Sequence, residues 1–158
     1  SDKPALWDAD ALNLLAITPD KRQNRVLTPH PGEAARLLGC GVKEVESDRL
    51  LSARKLTECY GGVVVLKGAG TVIADESGGL AIADVGNAGM ASGGMGDILS
   101  GIIGGLLAQK LSPFDAACAG CVVHGHAADL VACRQGTRGL LATDLLPVIA
   151  QSVNPELK

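Results

Sequence analysis

Asp97 closes a glycine-rich run, Gly93-Gly94-Met95-Gly96, and an apolar segment of helical spacing follows it at once. Glycine lets the backbone come close to a ligand and adopt positive φ. The first turn of a helix offers unpaired N–H groups and a partial positive charge. Together they form an anion site, and phosphate is the usual anion. The amides of Gly94, Met95 and Gly96 are the candidate anion hole. A carboxylate aimed into such a site repels phosphate unless it has a task of its own, such as taking a proton from a hydroxyl. A plain helix cap is the competing reading of Asp97. The glycines crowded before it favour the catalytic one.

A second constellation is Lys67-Gly68-Ala69-Gly70-Thr71, directly after the apolar run 63–66. A lysine at a strand end is a point charge that can meet phosphate. Alone, this stretch reads as a glycine turn between strands. Paired with residues 93–97 it reads as a nucleotide contact. The order of a P-loop is absent, and so is a Gly-x-Gly-x-x-Gly after a strand. His30, wedged between Pro29 and Pro31, stands where a strand should end, and strand ends in open α/β sheets face the ligand crevice. It is a candidate substrate contact, against the plainer reading of a packed or surface histidine. Glu33 suits the first turn of a helix as N-terminal charge. Cys118 and Cys121, with His124 and His126, suggest a metal, but a closed zinc site needs four tetrahedral ligands. Their helical spacing on an alanine-rich segment favours packing. Lys21, Arg22 and Arg25 read as a solvated loop.

The positioning elements follow from local pattern. Short strands are expected over 4–7 and 25–28, and the β-branched run 63–66 fits a strand buried on both faces. Returning strands are expected over 71–74 and 80–83. Helices are expected over 11–16 with Asp10 as cap, 33–38, 47–60, and from Asp97 to 107. In the last of these, Ile98, Leu99, Ile102, Ile103, Leu106 and Leu107 share a face. Gly101, Gly104 and Gly105 lower its propensity and should repay that by close packing. Pro113, capped by Ser112, opens a helix to about residue 133, and Thr143 caps a final one, with Pro147 tolerated in its first turn. Strands alternating with helices give an α/β class with ligand loops at strand ends.

The chain has 158 residues, which suits one domain spanning 1–158. A net charge of −3 argues against a nucleic-acid surface, and 2% aromatics against stacking on single strands. The odd count of five cysteines points to free thiols in a reducing, cytoplasmic setting. Apolar stretches are interrupted by Asp97, Asp115 and glycines, so no membrane span is expected. The chain opens on Ser1 and meets a strand almost at once, as a piece of a longer protein would. An uncovered parallel sheet edge invites pairing, so self-association into a homo-oligomer, or a nicked product that still holds its upstream half, is expected.

In order along the chain stand Asp8-Ala9-Asp10-Ala11-Leu12-Asn13, Thr28-Pro29-His30-Pro31-Gly32-Glu33, Leu66 through Thr71, and Gly86-Asn87 through Gly96-Asp97. With these the sequence resembles the dehydratase domain of bacterial ADP-dependent NAD(P)H-hydrate dehydratases. The resemblance implies a ribokinase-like fold with a mostly parallel sheet and helices on both faces. It covers the later part of that domain, with the opening strands and helices missing. In many bacteria an epimerase domain precedes it in one bifunctional chain. The implied activity removes water from (6S)-hydrated NADH or NADPH, using ADP and magnesium. The resemblance places the hydrate against His30 and Asp97, and the nucleotide against Lys67, Gly68, Ala69, Gly70, Thr71 and Gly96. Sugar kinases of this fold carry Asn-x-x-Glu near the place of His30-Pro31-Gly32-Glu33, a departure that favours the dehydratase; there the Glu acts on a magnesium network, so the resemblance makes Glu33 a candidate outer residue of one, against a role as helix N-terminal charge. A ribokinase-like small-molecule kinase and an inactive nucleotide-binding piece are the alternatives.

Overall fold

The computed structural model describes residues 3–154; the first two and last four residues of the 1–158 unit lie outside the described residues. The described elements run β1 (Ala5–Trp7), α1 (Asp10–Ile17), β2 (Arg25–Leu27), α2 (Pro31–Leu38), α3 (Val42–Ser47), α4 (Arg49–Tyr60), β3 (Val63–Leu66), β4 (Thr71–Asp75), β5 (Leu80–Ala83), a 3₁₀ turn (Ala88–Met90), α5 (Met95–Ala108), α6 (Pro113–Gln135), a second 3₁₀ turn (Ala142–Leu145) and α7 (Leu146–Val153).

The strands form one mixed sheet in the order β1-β2-β3-β4-β5. β1, β2 and β3 are parallel, with Leu6 opposite Val26 and Val26 opposite Val63. β4 and β5 return antiparallel as a meander, with Val65 opposite Ile73. The four residues of β3 are all buried, as the run of valines led one to expect. Side chains alternate across a strand, and here the alternation divides two cores. Leu27, Val64, Leu66, Val72 and Ala74 face the layer of α1, α2 and α4. Val26, Val63, Val65 and Ile73 face α5 and α6. A third cluster joins Met95 to Ala127, Ala128 and Val131 of α6 and to Leu145 and Val148. Helices therefore cover both faces of the sheet.

Several local expectations need correction. Asp10 does not cap α1; Ala9 holds the N-cap position at φ 47° and no side chain closes it. Helix 47–60 is divided by Asp48, whose carboxylate accepts from Leu51 N–H at 2.9 Å and starts α4 afresh. Thr143 does not cap the last helix: it lies inside the second 3₁₀ turn, where Asp144 accepts from Leu141 N–H at 2.9 Å. Ser112 does cap α6, accepting from Asp115 N–H at 3.1 Å. On α5, Leu99, Ile103 and Leu107 are buried, but a Cβ on Gly101, Gly104 or Gly105 would meet nothing within 4 Å. The close packing comes from the partner helix: a Cβ on Gly120 would lie 2.5 Å from Ile103 Cγ1.

Arg25 is not solvated; it is fully buried in β2. Its guanidinium donates to Asp20 Oδ1 at 2.6 Å and to the carbonyls of Asp20 and Tyr60 at 3.0 Å. It also stacks 4.5 Å from the Trp7 ring centroid. A planar, weakly hydrated cation tolerates such a place when its terminal nitrogens find acceptors and a ring face, and here only Nε is left buried without a partner. α6 is long and apolar enough to cross a membrane by length and composition alone. In the fold it is the core helix that packs on α5 and the sheet, with half of its most apolar window buried.

Candidate active site

The three parallel strands end on the same side, and each hands a functional group to the loop after it. Asp8 follows β1, Thr28 to His30 follow β2, and Lys67 follows β3. Backbone bonds fix these ends to one another: Thr28 N–H donates to Trp7 O at 3.2 Å and Lys67 N–H to Pro29 O at 2.9 Å. Such carboxyl ends are where open α/β sheets bind ligands.

Lys67 Nζ lies 3.0 Å from Asp8 Oδ1, and Ser100 Oγ of α5 donates to Asp8 Oδ2 at 3.0 Å. Burial alone would raise the Asp8 carboxyl. The hydrogen bond and charge of Lys67, with bonds from Ser100 and Thr28, outweigh it and hold Asp8 below its ordinary value. The carboxylate thus stays ionised and takes one of the three ammonium donors, leaving the rest for a ligand. Gly96, in the first turn of α5, sits over this pair: a Cβ there would lie 3.3 Å from Lys67 Nζ and 3.6 Å from Asp8 Oδ2. Gly94 holds the N-cap position in the left-handed region at φ 85°, and no side chain caps the helix. The first-turn amides are therefore left for something else. Arg49 braces the 66–70 turn by donating to Leu66 O at 3.1 Å and Lys67 O at 3.3 Å.

A cavity of about 830 Å³ opens beside these groups, in the range of small-molecule sites. His30, Lys67, Gly68, Ala69, Gly70, Thr71, Met95 and Gly96 all border it. Asp97, Gly94 and Glu33 are not on its wall. Asp97 is exposed in the first turn of α5. It stands three residues before Ser100, on the helix face that meets Asp8. His30 caps α2: Nδ1 accepts from Gly32 N–H at 3.0 Å and Glu33 N–H at 3.3 Å, while Glu33 Oε2 accepts from His30 N–H at 2.8 Å. The Nε2 edge, 3.5 Å from Glu33 Oε1, carries the proton in this arrangement. Glu33 is nearly buried and engaged in that cap.

Sequence reasoning passed over Asp8, Ser100 and Arg49 as site residues, and also Asp129. The Asp129 carboxylate of α6 accepts from Gly86 N–H and from Asn87 Nδ2, each at 2.9 Å, and so ties down the loop forming another wall. Cys121 and His124 also border the cavity. Among the described residues no group of three His, Cys, Asp or Glu side chains gathers to hold a metal. Magnesium commonly binds through one or two carboxylates plus substrate phosphates. The acidic groups near the strand ends fit an ion that arrives on a nucleotide better than one caged by protein.

The family model for NAD(P)H-hydrate dehydratase matches residues 1–151. The chain is 72% identical over 155 residues to the bifunctional NAD(P)H-hydrate repair enzyme of Escherichia coli K12, covering 98% of this chain and 30% of that protein. Its fold superposes with a TM-score of 0.83 and 34% identity on the ADP/ATP-dependent NAD(P)H-hydrate dehydratase of Bacillus subtilis co-crystallised with ATP and Mg2+, covering 96% of this chain and 56% of that one. A ribokinase-like superfamily protein of Enterococcus faecalis superposes at 0.79 with 29% identity, covering 93% and 51%. The chain spans less than a third of the E. coli relative's length. With its strand-end lysine, its uncapped glycine-rich helix and this match across nearly every residue, the chain belongs to the NAD(P)H-hydrate dehydratase family on a ribokinase-like fold.

Proposed function

We propose that residues 1–158 are the later part of one dehydratase domain that restores NADH or NADPH from the (6S)-hydrate at the expense of ADP. The observation that carries this reading is Gly96 seated over the Lys67–Asp8 pair on the wall of the cavity. Lys67 and the amides of Gly94, Met95 and Gly96 hold phosphoryl oxygens, and residues 68–71 follow the rest of the nucleotide. His30 contacts the hydrate with the edge its capping role leaves free. Hydroxide is a poor leaving group, so phosphoryl transfer comes first, and such transfer needs positioning and charge stabilisation above all. Asp97 takes the proton of the substrate hydroxyl as its oxygen bonds to the β-phosphorus and the bond to AMP breaks. Loss of phosphate from the ring carbon, with a proton from the neighbouring carbon, then forms the double bond. Magnesium arriving with the nucleotide would supply charge neutralisation to its phosphates. Asp8 keeps the ammonium of Lys67 aimed, and Glu33 serves magnesium only through the His30 cap.

An epimerase domain in the same parent chain, self-association, and a cytoplasmic setting that suits five free thiols belong to the same proposal. The test uses full-length protein with hydrated NADPH, ADP and magnesium, following recovery of NADPH absorbance. Asp97→Asn should slow turnover by roughly a hundredfold or more, as for a removed general base, while ADP binds as before. A stable phosphorylated product in place of NADPH and free phosphate makes the protein a kinase. Near-normal turnover of Asp97→Asn removes that residue from the chemistry.

A further inference from the structure

The cavity holds polar groups that the phosphate site does not use. His124 of α6 is 6% exposed and borders the cavity, and its Nε2 is buried with no hydrogen-bond partner. Ser92 Oγ, on the same cavity, is likewise buried and unpartnered. A buried polar atom without a partner is costly, and native proteins seldom leave one idle. The position is built. Gly125, the next residue, lets α6 press onto the loop after β5, where a Cβ would lie 2.5 Å from Val85 Cγ2 and 2.9 Å from the Val85 carbonyl. Asp129, just over one turn on, ties Gly86 and Asn87 to the same helix.

We propose that His124 recognises a planar heteroaromatic ring of a bound ligand through a hydrogen bond at Nε2. This rests on the reading of the cavity as the site of nucleotide and hydrate. The same cavity carries apolar wall from Ala83, Val85, Met90, Leu99 and Cys121 beside its polar groups. Burial and, after it, the charge of Lys67 push the imidazole down to about 4. At neutral pH it is therefore an uncharged donor–acceptor and not a second cation for phosphate. Apolar walls with a few neutral hydrogen-bonding groups suit a nitrogen-bearing ring. Two ligands of the proposed reaction carry one: the adenine nucleotide and the hydrated dinucleotide.

The experiment measures dissociation constants of ADP, hydrated NADPH and inorganic pyrophosphate for full-length wild-type protein and His124→Phe. Phenylalanine keeps the apolar bulk and removes the nitrogen. The ring-bearing ligand that His124 reads should bind about ten- to a hundredfold more weakly, while pyrophosphate, which has no ring, keeps its affinity. A loss confined to ADP assigns the adenine, and one confined to hydrated NADPH assigns the dinucleotide. An equal loss for pyrophosphate makes His124 structural and overturns the proposal, as does unchanged binding of both ring ligands. If the wild type binds pyrophosphate but neither ring ligand, the functional reading falls as well. Nitrogen-15 spectra of the wild-type imidazoles give an answer independent of folding of the variant. The His124 Nε2 resonance should move on addition of the ring ligand and stay in place with pyrophosphate; no movement with either ring ligand overturns the proposal.

Discussion

Gly96→Ala should raise the stability of the free protein and weaken its hold on nucleotide, two effects of opposite sign from one methyl group. Gly96 is the second residue of α5, and replacing a helical glycine by alanine gains about 0.5–1 kcal/mol. The new Cβ would stand 3.3 Å from Lys67 Nζ and 3.6 Å from Asp8 Oδ2. That contact is tight, but the ammonium is the far end of a flexible chain and can retreat by a few tenths of an ångström. The retreat subtracts part of the gain, leaving a rise in melting temperature of about 1–3 °C for a domain of this size. Nucleotide binding suffers from the same retreat. The methyl occupies the space between the first-turn amides and Lys67, where the proposed function puts a phosphate oxygen. Losing one hydrogen bond from a charged donor costs about 1.5–3 kcal/mol, which is roughly a ten- to hundredfold rise in the dissociation constant. Thermal melts of the unliganded full-length protein and calorimetric titration with ADP measure the two effects separately. Unchanged or tighter ADP binding refutes the placement of phosphate between Gly96 and Lys67. A variant that melts well below wild type refutes the claim that the ammonium can yield.

Three further outcomes follow from the packing. Acid should destabilise the protein through His124: its unfolded value is 6.5 and its folded value about 4, so the unfolded chain takes the proton first as the pH falls. Stability therefore rises with pH across that window, by about 3 kcal/mol in all. Urea midpoints should show a weaker pH dependence in His124→Phe, and parallel profiles would contradict the burial. Gly125→Ala should cost about 1–3 kcal/mol despite its better helix propensity, because the new Cβ would meet not only Val85 Cγ2 at 2.5 Å but also the Val85 carbonyl carbon and oxygen at 2.9 Å, and backbone cannot swing aside; an unshifted denaturation midpoint counts against it. Tyr60 donates to Leu37 O at 2.7 Å in a buried setting, so Tyr60→Phe should lower the unfolding free energy by about 1–2 kcal/mol, and a midpoint equal to wild type sinks that assignment.

What the sequence by itself determined lies within a turn or a strand of each residue. The valine run became the fully buried β3, Ser112 capped α6, and Gly93 to Gly96 opened a helix whose first turn no side chain closes. These follow from relations between residues up to about four positions apart, which backbone geometry fixes locally. His30 and the 67–71 turn were legible as candidates because strand ends and glycine turns are local signals too, and the cavity gathers them. Tertiary structure decided the rest. Asp8 meets Lys67 across 59 positions because β1 and β3 flank β2 in parallel. A basic run that reads as a loop buried Arg25, because Asp20, Tyr60 and Trp7 converge on it from three separate segments. Gly101, Gly104 and Gly105 of α5 face open space while Gly120 and Gly125 of α6 make the close approaches between elements. His124 looked like packing and stands instead unpartnered on the cavity wall. Which neighbour a side chain meets depends on sheet order and helix approach, and those are set by the sum of many weak contacts distant in sequence. No single local pattern carries them.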